Sequence, residues 1–555
     1  MSFLSIPFFI FITIVILLLQ LIRNINGKRY LLLLASYVFY GFFDLRFPVL
    51  LFLLSVFTWA IGCRIGSLKD LGRDAAAKRV AGIGIACQIA VLAFFKYFNS
   101  FQEFFFRKTA GDGGFLRIAI PVGLSFYLLQ AVSYLIDLSR GRLEKSSPLS
   151  KVMLYVGFFP QLVSGPIVKA HDFLPQLEHP EPLTRARLSY GLQLFLLGAL
   201  NKLVFADRLA VAVDSVYSAP AAYSGMSLFI ASLGYTLQIY FDFASYSDMA
   251  IGVGYILGFD LGQNFNLPYL ARNPSDFWRR WHISLSSYLR DYVYISLGGN
   301  RKGKIRTYIN LFLTMVVSGL WHGSTLNFLF WGMFHGLALI VHRIYSRELI
   351  GRGKAKALST GAENGGLRVN AADGSLATGS ENGELSVKAA DGSLATGAEN
   401  GAFSVKATND SLASGAENGG LSVKASNDGL AKATANDSFS LGSVLAAFLS
   451  ITLNFLLVSF LWIPFRAETL SDTLLILKGI FTMQPGIVYY YVYTLIFLGI
   501  LLAVQIYAAI RSNSKSPWKP FELRGFWGKF FICMEILAIF MFANFGNSAF
   551  IYSQF

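Results

Sequence analysis

Two histidines stand where an apolar chain has least reason to keep them. His282 lies in RNPSDFWRRWHISLSSYLRDYVYISLGGN (Arg272 to Asn300), and His322 follows forty residues later in SGLWHG (Ser318 to Gly323). Ionisable side chains in membrane segments are costly and face an interior or a water-filled cavity. A neutral imidazole at that depth takes up a proton at little electrostatic cost if its surroundings stabilise the product. It therefore suits general-base activation of a hydroxyl that attacks an activated acyl group. A purely structural hydrogen-bonding histidine has the same sequence, so both readings stay open. The chain has no HExxH and no cluster of Cys and His, which gives a metal site no support. It also has no G-x-S-x-G elbow, so a serine hydrolase lacks its usual signature.

These residues need elements to hold them. Asn273-Pro274-Ser275 with Asp276 in the first turn is a helix start. Trp278, Trp281, Leu285, Leu289 and Tyr292 then recur at three- and four-residue steps, which predicts one amphipathic helix with His282 on or beside its apolar face. Arg279, Arg280, Arg290 and Asp291 make it too polar for lipid, so it lies at an interface or lines a cavity. Upstream, Asp242 and Asp248 sit between apolar runs. They are expected to face inward and find partners, for instance an arginine of the next segment. Gly252 and Gly254 lack the βαβ context of a dinucleotide fingerprint and read as close helix packing.

The composition demands a membrane. Charged residues make up 14% and hydrophobic residues 54% of the chain, against about 25% charged in a soluble domain. Repeated apolar runs of roughly 17 to 25 residues predict multiple transmembrane helices. The net charge of +15 sits mainly in short connections. That is the positive-inside pattern, with some attraction to anionic lipid, and not a nucleic-acid surface. Cys63, Cys87 and Cys533 form no disulfide or metal spacing and read as small buried hydrophobes.

In chain order, the N-terminal apolar run reads as a retained first span, with Arg23, Lys28 and Arg29 placing the next loop in the cytoplasm. The loop Arg64 to Arg79 is cytoplasmic by the same count. Pro160 and Pro166 break the stretch Phe158 to Gln176, which is expected to be re-entrant or cavity-lining, or else a kinked helix. Gly361 to Lys432 is four copies of an 18-residue unit with Phe403 as its sole aromatic residue. It reads as a flexible cytoplasmic insertion, with a small repetitive β-structure as the alternative. The expected architecture is all-α and polytopic, with about 11–14 transmembrane or re-entrant helices. A membrane core over 1–345, the insertion over 346–440 and further spans over 441–555 of the same domain divide the chain.

RNPSDFWRRWHISLSSYLRDYVYISLGGNRKG followed by SGLWHGSTLNFLFWGMFHG resembles the membrane-bound O-acyltransferase (MBOAT) family. With FFPQLVSGPI, QIYFDFASYSDMAIG, WIPFRAETLSDTLLIL and the terminal FIYSQF, it is similar to the bacterial alginate-type polysaccharide O-acetyltransferases. The resemblance implies helices enclosing a tunnel, with His322 as the catalytic base and His282 orienting the acyl group or stabilising the oxyanion. It implies cavity or substrate support from Trp321, Asp242, Asp248, Arg280, Arg290 and His335, with no metal and no resident cofactor. It implies an inner-membrane enzyme that moves acetyl groups from acetyl-CoA or another acyl thioester toward hydroxyls of an exported polysaccharide. The acceptor would be the polysaccharide itself or an extracytoplasmic acetyltransferase partner. D-alanyl transfer to teichoic acid from an acyl-carrier protein is the alternative within the family. A transporter or lipid flippase, with the aspartates and histidines as a relay, is the alternative outside it. The repeats depart from the family pattern.

Overall fold

Apolar runs rich in Leu, Ile and Phe, punctuated by Asn, Asp, Ser, Gly and Pro, fold as one helix after another. The structure is a computed structural model describing residues 1–106, 118–346, 368–370, 375–380, 383–387, 394–395, 441–510, 525–543 and 550–551. It divides into two compact units: Met1–Ala338 with Phe448–Phe555, and Leu339–Ala447.

The first unit opens with α1 (Ile6–Leu21), α2 (Ile25–Gly41), α3 (Arg46–Asp70) and α4 (Asp74–Phe106). Asn24 starts α2 by accepting from the Asn26 N–H at 3.0 Å. Ile6, Ile10, Ile14, Leu17 and Leu21 form an exposed apolar stripe along α1, a surface that suits lipid. Gly123 and Gly141, with φ of 80° and 75°, bracket α5 (Leu124–Arg140). A Cβ on Gly123 would stand 2.2 Å from the Leu162 carbonyl oxygen, so only glycine fits.

Short helices α6 (Leu149–Gly157), α7 (Phe159–Leu162) and α8 (Ala170–Phe173) follow. Residues 157–170 are buried throughout, so the irregular stretch is enclosed by protein, as backbone at membrane depth must be. Side chains take up its broken ladder: Ser36 Oγ accepts from the Phe159 N–H at 3.2 Å, and Tyr155 donates to the Val168 carbonyl at 3.0 Å.

Next come α9 (Arg185–Leu200), a π-helical segment (Asn201–Ala206), α10 (Asp207–Ser218) and the 33-residue α11 (Gly225–Leu257). α11 is buried on nearly every side and crosses α9 closely. A Cβ on Gly252 would lie 2.5 Å from the Gly191 oxygen, and one on Gly191 2.6 Å from the Gly252 oxygen. Gly252 is a packing residue. The unit continues through α12 (Pro274–Arg280), α13 (Ile283–Tyr288), a π-helical turn (Leu289–Tyr294), α14 (Gly303–His322) and α15 (Leu326–Ile344). Beyond the insertion lie α16 (Leu441–Arg466), α17 (Leu470–Phe481), α18 (Val492–Ile510) and α19 (Gly525–Phe542). Among the described residues, Arg46–Asp70, Asp74–Gln102 and Val444–Arg466 are long and apolar enough to cross a bilayer, and the chain is a membrane protein.

Several basic connections meet at one end of this unit. Arg29 pairs with Glu178 at 2.8 Å, Lys151 pairs with the same carboxylate, and Lys69 donates to the Leu138 carbonyl at 3.1 Å. The Lys151 ammonium holds the Glu178 carboxyl below the usual carboxylate range. The cysteines correct the sequence reading: Cys87 and Cys533 are exposed and Cys63 is half-buried. Their apolar setting is the outer helix surface and not a protein core.

In the second unit, four short strands pair antiparallel in sequence order: β1 (Arg368–Asn370), β2 (Ser375–Ser380), β3 (Gly383–Val387) and β4 (Leu394–Ala395). Val369 faces Leu376, and Leu376 faces Val387, so the first two repeat units supply the strands. The rest of the repeats, most of the Arg511 to Lys529 loop and Tyr552 to Phe555 lie outside the described residues.

Candidate active site

The predicted single helix around His282 is two helices. Trp278, Trp281 and Leu285 keep helical spacing, yet Trp281 is extended and His282 is left-handed, with φ 43° and ψ 56°. A non-glycine residue in that region costs on the order of 1–3 kcal/mol and persists only where surrounding contacts enforce it. Here the enforcing residue is Asn264, in the connection after α11. Its backbone oxygen accepts from the Ile283 N–H at 2.9 Å. Its Oδ1 accepts from Ser284 Oγ at 2.9 Å and lies 3.1 Å from His282 Nδ1, while its Nδ2 donates to Ser247 Oγ at 3.0 Å. An amide oxygen only accepts, so Nδ1 carries the imidazole proton and Nε2 carries the lone pair. The ring is fully buried, edge-on to Phe243 at 4.7 Å.

His322 is the last residue of α14 and is 3% exposed. The glycines of its motif let α14 and α15 meet: a Cβ on Gly319 would stand 2.2 Å from the Phe328 oxygen, and one on Gly332 2.4 Å from the Met315 oxygen. Its imidazole packs against Trp331 at 4.9 Å, Phe465 at 5.2 Å and the preceding Trp321 at 4.8 Å. Trp321 also lies 6.3 Å from the His282 ring, so one indole neighbours both histidines. That indole is fixed from two sides: its Nε1 donates to the Ser125 carbonyl at 3.2 Å, and Lys96 Nζ donates to its backbone oxygen.

His335 joins the same cluster, buried 4.9 Å from Trp331 and 5.2 Å from Trp278. Trp331 stacks on Trp462 at 5.6 Å. Among the described residues, the Nε1 atoms of Trp278, Trp331 and Trp462 and Nε2 of His335 are buried without hydrogen-bond partners. Each such group costs about 1–3 kcal/mol. Four of them lie in one aromatic cluster with the His322 ring, which gives that cluster unused polar capacity.

The remaining predicted residues scatter. Asp242 is buried, as expected, but its partner is Lys202 at 2.6 Å and not an arginine of the next segment. Lys202 also pairs with Asp207 at 2.9 Å, and the Ile551 N–H donates to Asp242 at 2.7 Å. This clamp ties the π-helical segment before α10 to α11 and the chain terminus. Arg280 pairs with Asp276 at 3.1 Å and reaches the Asn266 carbonyl at 3.4 Å, pinning α12 to the Asn264 connection. Arg290 is largely exposed and pairs with its neighbour Asp291 at 2.9 Å. Asp248 lines a separate cavity. Neither Arg290 nor Asp248 is brought to the histidines. Sequence reasoning missed Lys96, Asn264, Trp331, Trp462 and Phe465. Lys96, a lone cation inside an apolar run, carried a usable signal.

Residues 138–349 match the model of the membrane-bound O-acyltransferase family. A probable alginate O-acetylase of Pseudomonas aeruginosa is 40% identical over 326 residues, covering 58% of this chain and 62% of its own length. This chain is thus similar to the membrane-bound O-acyltransferase family over that stretch. A peptidoglycan O-acetyltransferase of Helicobacter pylori is 36% identical over 341 residues, 57% of this chain and 64% of that protein. A teichoic acid D-alanyltransferase of Bacillus subtilis is 29% identical over 239 residues, 41% of this chain and 60% of that protein. The chain thus spans less than two thirds of the length of these relatives. His282, Trp321, His322 and His335 all fall inside the matched stretch. Lys96 precedes it, and Trp462 and Phe465 follow it, so segments flanking the match help build the cluster.

Proposed function

We propose that this protein transfers an acetyl group from a cytoplasmic acyl thioester, such as acetyl-CoA, toward a hydroxyl of an exported cell-surface polysaccharide. The acceptor is the polymer itself or an extracytoplasmic acetyltransferase that relays the group. The observation that carries this reading is the pair of buried imidazoles that share Trp321 as a neighbour. The match of residues 138–349 to the family's model and the similarity to O-acetyltransferases support it.

In the reaction, the acceptor hydroxyl oxygen attacks the thioester carbonyl carbon while His322 takes the hydroxyl proton. The carbon–sulfur bond then breaks and the thiolate leaves with that proton from His322. General-base assistance of this kind is worth about 10² to 10⁴-fold. His282 holds its proton at Nδ1 against Asn264, so its Nε2 accepts a hydrogen bond and does not donate one. It therefore suits orienting the acceptor hydroxyl better than stabilising the oxyanion. Donors for the oxyanion are at hand in the indole N–H groups of Trp331 and Trp462.

His322→Ala should abolish ester formation on the envelope polymer while the protein remains folded in the membrane. Mass spectrometry of the purified polymer, wild type against variant, reads the result and separates acetyl from D-alanyl esters. Full acetylation in folded His322→Ala protein refutes the assignment.

A further inference from the structure

A second enclosure lies on the other side of Phe265, whose ring packs against Trp281 at 5.1 Å and also lines this cavity. Its volume of about 590 Å³ falls in the range of about 300–1,000 Å³ usual for small-molecule sites. One stripe of α11, through Leu237, Phe241, Ala244, Asp248 and Tyr255, runs along it, and α18 supplies Ile500 and Val504 opposite. Ile500 and Val504 are exposed on the outer helix surface, so the cavity opens toward the lipid side.

The lining is largely apolar, with Asn201, Gln263 and Asn266 among its polar residues and Asp248 as its costly feature. The fold neutralises Asp242 with Lys202 but gives Asp248, two turns on, no ion pair or hydrogen bond among the described residues. Among the described residues, no lysine, arginine or histidine lines the cavity, whereas Asp260 adds a second carboxylate. Tyr190, Tyr240 and Tyr255 add aromatic rings, with Tyr190 and Tyr255 at 5.0 Å. Arg187 stacks on the Tyr255 ring at 4.1 Å and is not among the lining residues. A carboxylate in an apolar enclosure demands a cation, and tyrosine rings beside it form a cage for an ammonium group. The hydrocarbon walls toward Leu237 and Phe497 demand an alkyl chain.

We propose that this cavity binds an amphiphile with an ammonium head, its cation at Asp248 among the tyrosines and its chain along α11 and α18. The test is photo-crosslinking of the full-length protein in nanodiscs with a diazirine-bearing dodecyltrimethylammonium probe, followed by peptide mapping. Labelling is expected on the α18 segment around Phe497 to Val504. Unlabelled dodecyltrimethylammonium should compete and dodecyl sulfate should not. Asp248→Asn should reduce labelling at least tenfold at unchanged melting temperature, and Leu237→Trp, which fills the apolar end, should reduce it as well. Competition by lysophosphatidylethanolamine supports the site with a phospholipid as its natural source. Competition by the simple amine alone supports it with a free amphiphilic amine. Undiminished labelling in folded Asp248→Asn, or equal competition by dodecyl sulfate, overturns the proposal, since the cavity then takes any alkyl chain.

Discussion

Replacing Asn264 with alanine tests whether the His282 tautomer matters. The change removes the acceptor 3.1 Å from Nδ1 and the anchor that accepts from the Ser284 hydroxyl at 2.9 Å. Losing that acceptor leaves the buried N–H with only the longer Ser284 Oγ contact at 3.4 Å, a cost of up to about 1–3 kcal/mol. The imidazole escapes that cost by moving its proton to Nε2, which removes the lone pair there. At about 1.4 kcal/mol per tenfold, the useful tautomer falls in population by about 5- to 150-fold. Ester formation on the polymer should fall by the same factor, and Asn264→Asp, which keeps an acceptor at Oδ1, should recover most of it. The assay is ester quantification on purified polymer, with a melting curve of the purified protein beside it. If Asn264→Ala acetylates at the wild-type level while folded, the tautomer argument fails.

Three further outcomes are expected. Lys202→Met leaves Asp207 and Asp242 buried without their cation and should destabilise the protein by about 3–5 kcal/mol. Adding Asp207→Asn and Asp242→Asn should restore much of that stability, read by thermal melting in detergent. Gly319→Ala places a methyl 2.2 Å from the Phe328 backbone oxygen; separating α14 from α15 should cost at least about 1–3 kcal/mol and lower ester formation, measured by melting and polymer analysis. Deleting Gly361 to Lys432 should leave ester formation unchanged, because the histidines and their aromatic neighbours all lie outside the repeats; loss of acetylation on deletion would tie the repeats to the chemistry.

Much of the site could be read from residue types. An imidazole in an apolar run is expensive, and both His282 and His322 are buried, with Trp321 beside each. The helical content followed from apolar runs in the same way. The break at His282 was hidden because Trp278, Trp281 and Leu285 keep helical spacing across a left-handed residue. What forces that conformation is Asn264, eighteen positions away, and periodicity carries no information about such a partner. Asp242 was legibly inward-facing, but its cation came from the preceding helix. Arg290 shows the converse failure: charge beside a functional segment proved to be surface charge. The cysteines misled because apolar surroundings mean lipid as readily as core.

The His322 ring leans on Phe465, and Trp331 stacks on Trp462, so α16 completes an aromatic cluster that α14 and α15 begin. The cluster is thus assembled from both sides of the insertion. Chain-closure entropy grows only logarithmically, by about 0.6 kcal/mol for each doubling of a flexible connection. The gap between α15 and α16 is therefore a permissive address: sequence can accumulate there, or be cut there, at small thermodynamic cost. Two separately expressed pieces divided within the repeats would still carry complementary halves of one aromatic cluster.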